Sequence, residues 1–245
     1  MRLRPRGWSF LALAVLIAAA CVRLGFWQLS RLAERRAHNQ MIEVRLAMPV
    51  ADLQAEASAA SEQLYRRIRA SGIFDAKHEV LLENRTLNDQ PGVHLITPLL
   101  LEGQLPAVLV DRGWVPLENG AAPSRGRFRI PKQVNVEGVL RPSQPEPSWA
   151  FLADPTATPG QAPLDSVRVL NVERIQAQTP YTLLPVVLEL TAPTQAGMPI
   201  PDPDLDLTDG PHLGYAIQWF LFAVIALAGG LLYLKRAISA PAAVE

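Results

Sequence analysis

Two long apolar stretches lie near the two ends of the chain. The first covers residues 8–29 and is interrupted by Arg23, and the second covers residues 213–234, where Gln218 is the one strongly polar residue. Each stretch is roughly 20 residues long, which is enough for an α-helix to cross the ~30 Å hydrocarbon core of a bilayer. The pattern predicts an integral membrane protein with transmembrane helices at these two positions.

Short apolar runs separated by turn residues occupy the middle of the chain. Such runs are typical of β-strands, and we predict one β-rich α+β domain with an antiparallel sheet. The segment Asn88–Gly92 predicts a hairpin, and Val172–Gln178 predicts a helix. The apolar runs are residues 65–74, 80–82, 93–101, 108–115, 134–140 and 186–190. The side chains expected in its core include Val110, Trp114, Val136 and Leu188.

The segments that flank this domain have a different character. From Ser30 to about Gln63 the chain is polar and helix-prone, and Pro49 is expected to break that helical piece. Prolines cluster in residues 142–163 and again in residues 193–211, where they exclude regular strand pairing. We interpret the second cluster as the linker into the second apolar helix.

Basic residues flank the outer ends of both predicted spans. They are Arg2, Arg4 and Arg6 before the first span and Lys235 and Arg236 after the second. Because Lys and Arg concentrate on the cytoplasmic side of membrane helices, we predict a cytoplasmic head at residues 1–7 and a cytoplasmic tail at residues 235–245. Residues 30–212 then form the extracytoplasmic domain. Three arginines between residues 31 and 36 weaken this bias.

Composition agrees with a membrane protein that has a polar middle. Of the 245 residues, 49% are hydrophobic and 19% are charged. The 23 Lys and Arg residues balance the 23 Asp and Glu residues, so no basic field favours nucleic acid. The single cysteine, Cys21, excludes an intrachain disulfide, a CxxC redox pair and a multi-thiolate metal site.

The first apolar stretch has two alternative interpretations. A cleaved signal peptide would end at Ala18-x-Ala20, but Arg23 follows and the apolar run is longer than a usual signal core. The segment before Cys21 resembles a lipoprotein box, yet it lacks the large aliphatic residue expected three positions earlier. We favour a retained helix in which Cys21 is a small buried thiol.

Motifs of conventional catalysis are missing from the sequence. It has no Gly-x-Ser-x-Gly elbow, no phosphate-binding loop and no His-Glu-x-x-His, and its four histidines share no metal-ligand spacing. Asp75, Glu79 and Glu83 recur four residues apart, and we expect them to be solvated or paired with Arg85. The chain is therefore not expected to be an enzyme.

One face of the second apolar helix combines a histidine with aromatic residues. His212, Tyr215 and Trp219 follow helical spacing, and Ala226 and Gly229 continue the face as a small-residue strip that, with the adjacent Gly230, permits close helix approach. This pattern has two explanations: an aromatic belt at the membrane interface, or an imidazole ligand for haem iron beside an aromatic wall. The pattern alone favours the belt.

Several motifs in chain order resemble the Surfeit-locus-one family of cytochrome c oxidase assembly factors. The resemblance covers nearly the whole chain and is weakest between about residues 120 and 165. The motifs are Leu24-Gly-Phe-Trp27-Gln28, Gly72-Ile-Phe-Asp75, Leu82-Glu-Asn-Arg85-Thr86, Pro91-Gly-Val-His94-Leu-Ile-Thr-Pro98, Val110-Asp-Arg112-Gly-Trp114-Val-Pro116 and His212-Leu-Gly-Tyr215-Ala-Ile-Gln218-Trp219-Phe220.

The resemblance implies a multi-pass protein of the bacterial inner membrane whose main domain faces the periplasm. It also implies a role in inserting haem a into subunit I of cytochrome c oxidase, with His212 as the haem contact and metal ligand. Haem a synthase is a further partner under this hypothesis. Tyr215 and Trp219 would then wall the porphyrin. Arg23, a costly charge within an apolar segment, would either meet a haem propionate or snorkel to the interface, and snorkelling is the default.

Two alternatives to haem delivery stay open. A scaffold that holds oxidase subunits without binding haem fits every feature except the placement of His212. A sensor with an extracytoplasmic input domain shares the layout, but only about ten residues follow the second helix. In the middle domain, Arg85, Arg112 and Trp114 either dock a partner or serve the fold through core packing and pairing with Glu83 or Asp111.

Overall fold

The computed structural model describes residues 5–103, 106–118, 128, 133–148, 154, 164–194, 197–201 and 205–239. The chain forms two compact units, one of Met1–Met41 with Asp206–Glu245 and the other of Ile42–Leu205. Residues 1–4 of the predicted head, residues 240–245 of the predicted tail and most of the proline-rich segment 142–163 lie outside the described residues.

The first unit is a pair of long helices. Helix α1 extends over Pro5–Ala47 and helix α4 over His212–Ser239. Both helices are long and apolar enough to cross a membrane. Helix α1 continues well beyond its apolar stretch and ends two residues before Pro49, which confirms the helical extension and its break.

The second unit contains eight described strands, two short α-helices and two 3₁₀-helices, Ala57–Gln63 and Ala76–His78. All six predicted runs are strands, and the helix predicted at Val172–Gln178 is observed as α3. The strands are β1 (Ala51–Asp52), β2 (Arg67–Phe74), β3 (Val80–Leu87), β4 (Gln90–Leu101), β5 (Ala107–Pro116), β6 (Val134–Pro142), β7 (Ser166–Val167) and β8 (Leu183–Leu190). The α-helices are α2 (Leu53–Glu56) and α3 (Val172–Gln176).

The strands form one sheet that closes on itself. Its order is β1-β2-β6-β8-β5-β4-β3-β7, and an additional β2–β4 pairing joins β2, β6, β8, β5 and β4 into a five-stranded barrel. The prediction of an antiparallel sheet is wrong for three pairings, because β1–β2, β3–β7 and β5–β8 are parallel. This order and these directions are those of an OB fold, a partly open Greek-key barrel.

Aliphatic side chains fill the barrel. Val110, Val136 and Leu188 are buried there as predicted, and Trp114 is buried with 2% of its surface exposed. Leu53 of α2 packs against the same cluster. A second cluster covers part of the barrel's outer face, where α3 contributes Val172 and Ile175. The barrel is therefore packed on the inside and partly covered on the outside.

The predicted hairpin joins β3 and β4 with a tighter turn than expected. Asn88 and Asp89 both have positive φ, at 50° and 61°, so these two residues make the turn. Such two-residue turns match the twist of antiparallel strands. Pro91 and Gly92, which the sequence assigned to the turn, belong to β4.

A buried ion pair connects β5 to the residue that precedes β3. The Arg112 guanidinium donates hydrogen bonds to Glu79, 2.8 Å away, and to the carbonyl of Phe128, 2.6 Å away. The Thr97 hydroxyl donates to the same Glu79 carboxylate over 2.7 Å. Burial lowers the pKa of the Arg112 guanidinium, while the charge of Glu79 raises it. Each buried charge thus has a partner, without which burial would be costly.

This network corrects two expectations. Glu79 is neither solvated nor paired with Arg85, and Arg112 pairs with Glu79 rather than with Glu83 or Asp111. The partners are 33 positions apart in the chain, so sequence spacing does not reveal them. Sheet pairing brings them together.

The other two acids are also engaged. Asp75 accepts hydrogen bonds from Nδ1 of His78 at 2.5 Å and from the hydroxyl of Tyr181 at 2.8 Å. Burial raises the pKa of Asp75, but these hydrogen bonds together lower it by more, and the net pKa lies below its usual value. Glu83 accepts a hydrogen bond from the Ser166 hydroxyl. Neither acid pairs with an arginine that the structure describes.

Candidate functional site

The helix pair meets along a seam of small residues. The buried positions on α1 recur at intervals of four and three residues, and those on α4 recur every seven. Without bulky side chains between them, two helices can approach closely and gain van der Waals contact. The buried small residues are Ala14, Ala18, Cys21 and Gly25 on α1 and Ala216, Ala223 and Gly230 on α4.

Two glycines are required by this close approach. A Cβ added to Gly230 would lie 2.7 Å from the Cβ of Ala14, and one added to Gly25 would lie 2.6 Å from the ring of Phe220. A Cβ added to Gly229 would meet no atom of the described residues within 4 Å. Of the small residues predicted to permit helix contact, Gly230 therefore does so and Gly229 does not. The burial of Cys21 in the seam confirms its interpretation as a buried thiol.

His212 is the first residue of α4 and is held from α1. Its Nδ1 lies 2.9 Å from Oε1 of Gln28. Because a carbonyl oxygen only accepts, Nδ1 is the donor, and in the neutral ring Nε2 keeps its lone pair. This is the arrangement by which proteins orient a histidine for binding a metal through its other nitrogen.

The segment before His212 is fixed to α1 by polar contacts. The guanidinium of Arg35 binds the Asp206 carboxylate at 2.9 Å, and that of Arg36 binds the Asp209 carboxylate at 2.7 Å. The side-chain amide of Asn39 donates to the carbonyl of Leu207 at 2.7 Å. The hydrogen bond from Arg36 holds the pKa of Asp209 below its usual value. These contacts hold the segment that leads into α4 against α1.

The two aromatic residues predicted to accompany His212 lie on α4 and follow it in the chain. Trp219 packs partly into the seam against Ala18 and Cys21 and makes an edge-to-face contact with Phe222 at 5.9 Å between ring centroids. Tyr215 is 49% exposed. Trp219 lies two turns, or about 10 Å, along the helix from His212. A planar apolar ligand that lies along α4 could therefore contact both His212 and Trp219.

Arg23 lies apart from the other predicted site residues. It is exposed, and five positions separate it from Gln28, which places it about 140° around α1 from the residue that holds His212. It lines a groove with Leu24, Phe26 and Trp27. Arg23 makes no hydrogen bond or ion pair within the described part of the chain. The structure brings Gln28 to His212, and contact between Arg23 and a propionate stays a prediction.

Gln28 is the residue that sequence reasoning missed. The α1 seam repeats at positions 14, 18, 21 and 25, and the next step in this series is 28. A polar residue at that step must face the second helix and find a partner there. That spacing was the signal available in the sequence.

The described residues contain no cluster of three or more histidine, cysteine or acidic side chains able to hold a metal ion. Trp114 and Arg112 serve the barrel fold, since both are buried. A haem group needs only an axial ligand from the protein, because its macrocycle supplies the other four nitrogens. His212 with its free Nε2 fits that requirement.

Comparison with known proteins extends over most of the chain. The SURF1 family matches residues 15–224. An uncharacterised SURF1-like protein of Mycobacterium tuberculosis is 31% identical over 235 residues, which cover 93% of this chain and 83% of that protein. A SURF1-like protein of Monosiga brevicollis is 26% identical over 231 residues, covering 90% and 84%. Surfeit locus protein 1 of Xenopus tropicalis is 26% identical over 159 residues, covering 59% and 52%.

Proposed function

The chain belongs to the SURF1 family, and from this premise we propose that it is an assembly factor for cytochrome c oxidase that carries haem a to subunit I. It is not an enzyme under this proposal; haem a is its cargo. The protein spans the inner membrane of a bacterium, with both termini in the cytoplasm and the barrel domain in the periplasm. Its partners are oxidase subunit I and haem a synthase.

The hydrogen bond between His212 and Gln28 carries the proposal. Imidazole is a usual axial ligand of haem iron, and a partner on Nδ1 fixes the ring and its tautomer. In that tautomer Nε2 is the atom that would ligate the iron. The bond joins the two helices at the residue where α4 begins.

The surroundings of His212 suit a haem group. Tyr215 and Trp219 offer aromatic surface on the same helix, and neither is fully buried. Aromatic and apolar side chains favour the macrocycle over water. A single imidazole ligand also suits a cargo that must be released. The receiving subunit then has to replace only one bond between this protein and the iron.

The exposed apolar surface of the helices supports the membrane location. Leu16 is 68% exposed and Ile225 is 64% exposed, although each lies at the middle of a long apolar helix. A lipid environment would cover such side chains and remove them from water. The basic residues around the two helices favour cytoplasmic termini.

The test is the haem content of protein purified from cells that make haem a. We expect His212→Ala to insert and fold like the wild type but to lose most of its haem. Gln28→Leu should retain part of the haem with a shifted Soret band, because the imidazole loses its orienting acceptor. Gln28→Glu, which keeps an acceptor at that position, should restore the band toward the wild type.

His38→Ala is the matched control, since His38 is an exposed histidine on the same helix as Gln28. It should leave haem content and spectrum unchanged. Wild-type haem content in His212→Ala would contradict the proposal. The scaffold that organises oxidase subunits without haem would then be the better explanation of the family fold.

A further inference from the structure

The barrel domain carries a polar cleft that the haem proposal does not use. The cleft has a volume of about 380 Å³ and lies on the outer face of the sheet, where β3, β4, β5, β8 and β6 are neighbours. Small-molecule sites in proteins start at about this size. OB barrels bind ligands on the outer face of their second and third strands, which are β4 and β5 here.

Two irregularities of the sheet meet at this cleft. The β3–β4 register shifts between Leu82 and Arg85, and the β4–β5 register shifts between His94 and Ile96. Bulges of this kind re-aim side chains and are frequent beside functional sites. The β4–β5 shift places Asp111 opposite Ile96 while His94 lies opposite Trp114, and the side chains of Asp111 and His94 meet at 2.8 Å.

Backbone strain is concentrated at the same place. Four non-glycine residues in the described chain have positive φ, and two of them make the β3–β4 turn. The other two, Tyr65 at 66° and Asn84 at 58°, both line the cleft. A bulky residue such as tyrosine rarely adopts this conformation unless the surrounding structure enforces it.

The acidic side chains of the cleft already have partners. Asp111 accepts hydrogen bonds from Nδ1 of His94 at 2.8 Å and from the backbone N–H of Gly113 at 2.9 Å, so both of its oxygens are engaged. Glu189 pairs with Nε of Arg141 at 3.3 Å. Nδ1 of His94 donates to Asp111, and Nε2 of the neutral ring keeps a lone pair, so His94 offers an acceptor and not a cation to the cleft.

Among the charged side chains that line the cleft, Arg85 has no partner in the described part of the chain. It lines the cleft, is partly buried, and makes no hydrogen bond or ion pair with any residue that the structure describes. Its neighbour Glu83, the expected counter-ion, binds Ser166 instead. A guanidinium has five N–H donors in a planar fork, and two parallel bonds to a carboxylate or phosphate satisfy that fork best.

We propose that this cleft binds a small ligand through its carboxylate or phosphate group, with Arg85 as the anchoring cation. Arg141 lines the same cleft from β6 and adds a second positive charge beside the anion. The volume suits a small organic acid or a phosphate ester. This site is separate from His212 and does not depend on haem binding.

The experiment titrates the full-length protein in detergent with inorganic phosphate and, separately, with succinate at constant ionic strength, and follows binding by calorimetry. We expect saturable binding of at least one anion with a dissociation constant of about 1 mM or lower. Arg85→Gln should weaken this binding at least about tenfold, and Arg85→Lys, which keeps the charge but loses the fork, should have an intermediate effect.

Arg69→Gln is the matched control, because Arg69 is an exposed arginine of the same domain outside the cleft. It should bind the anion within about twofold of the wild type if the effect is local rather than a matter of net charge. No saturable binding by the wild type up to about 10 mM, or equal losses in Arg85→Gln and Arg69→Gln, would overturn the proposal.

Two further measurements complete the test. The first distinguishes a lipid headgroup from a free solute as the source of the anion, and the second distinguishes this cleft from the His212 site. Displacement of phosphate by short-chain phosphatidylglycerol, used below its micelle concentration, would identify a lipid headgroup, and its failure would identify a free solute. Arg85→Gln should also keep wild-type haem content, so failure at this cleft does not imply failure at His212.

Discussion

The helix pair and the barrel domain are built in opposite ways. In the helices, the large apolar side chains face outward and the buried seam contains mostly alanine and glycine. In the barrel, aliphatic side chains such as Leu109 and Leu188 are fully buried, and the ionised pair of Arg112 and Glu79 lies among them. The two units follow different rules about which side chains are placed inside.

Under the proposed membrane location, this difference follows from two different solvents. Water drives large apolar side chains inward, and the barrel obtains its stability from that burial. Lipid is as apolar as leucine, so helices in a bilayer gain from close packing of small residues. Substitutions that remove side-chain volume should therefore destabilise the barrel, whereas substitutions that add side-chain volume should destabilise the helix pair.

Trp114→Ala tests the barrel and should have the largest effect. The indole is almost fully buried, and its loss should lower the free energy of unfolding of the domain by about 3–5 kcal/mol. Urea unfolding of the full chain in detergent, followed by the circular dichroism of the strands, measures it. Ile73 is an apolar residue of β2 that is 51% exposed, and Ile73→Ala should lower the free energy by less than about 1 kcal/mol. Equal effects would mean that burial of Trp114 does not stabilise the domain.

Gly230→Ala tests the helix seam. The new methyl group would overlap the Cβ of Ala14, and overpacking of this kind costs about 1–3 kcal/mol. The adjacent change Gly229→Ala adds the same group in open space, where alanine's higher helix propensity stabilises by up to about 1 kcal/mol. Loss of helix pairing during SDS titration compares the two variants. The seam assignment fails if Gly229→Ala is the more disruptive of the pair.

The smallest expected effect is the pH dependence contributed by Asp75. Its pKa in the folded protein lies below the unfolded value of about 3.9, so its stabilising effect is present above that pH and is lost as the pH falls through the folded pKa. We expect Asp75→Asn to flatten the decline in melting temperature below about pH 4. Asp89→Asn makes the same charge change in the exposed turn. A decline as steep in Asp75→Asn as in Asp89→Asn would rule out this contribution.

The elements of both units follow from local patterns in the sequence. Residues 8–29 and 213–234 are long enough and apolar enough to predict helices, and alternating or continuous apolar runs predict the strands. Trp114 and Val110 were expected in the core because they lie within such runs. These predictions succeed because the length and period of apolar residues depend only on neighbours in the chain.

Contacts between distant residues were beyond the same reasoning. Expectations for Glu79 and Arg112 considered only nearby partners, whereas the sheet pairs them with each other. The antiparallel prediction failed at β5–β8, because apolar runs indicate where strands lie but do not fix the order of strands or the direction in which they pair.

The sequence by itself determined two apolar helices, a strand-rich middle and the position of His212 at the start of the second helix. Only the tertiary structure decided that Gln28 holds the imidazole, that Gly230 rather than Gly229 lies in the seam, and that Arg85 has no partner among the described residues around its cleft. The physical reason is that element type depends on local hydrophobic periodicity, whereas a side chain's partner depends on which surfaces meet after the chain has folded.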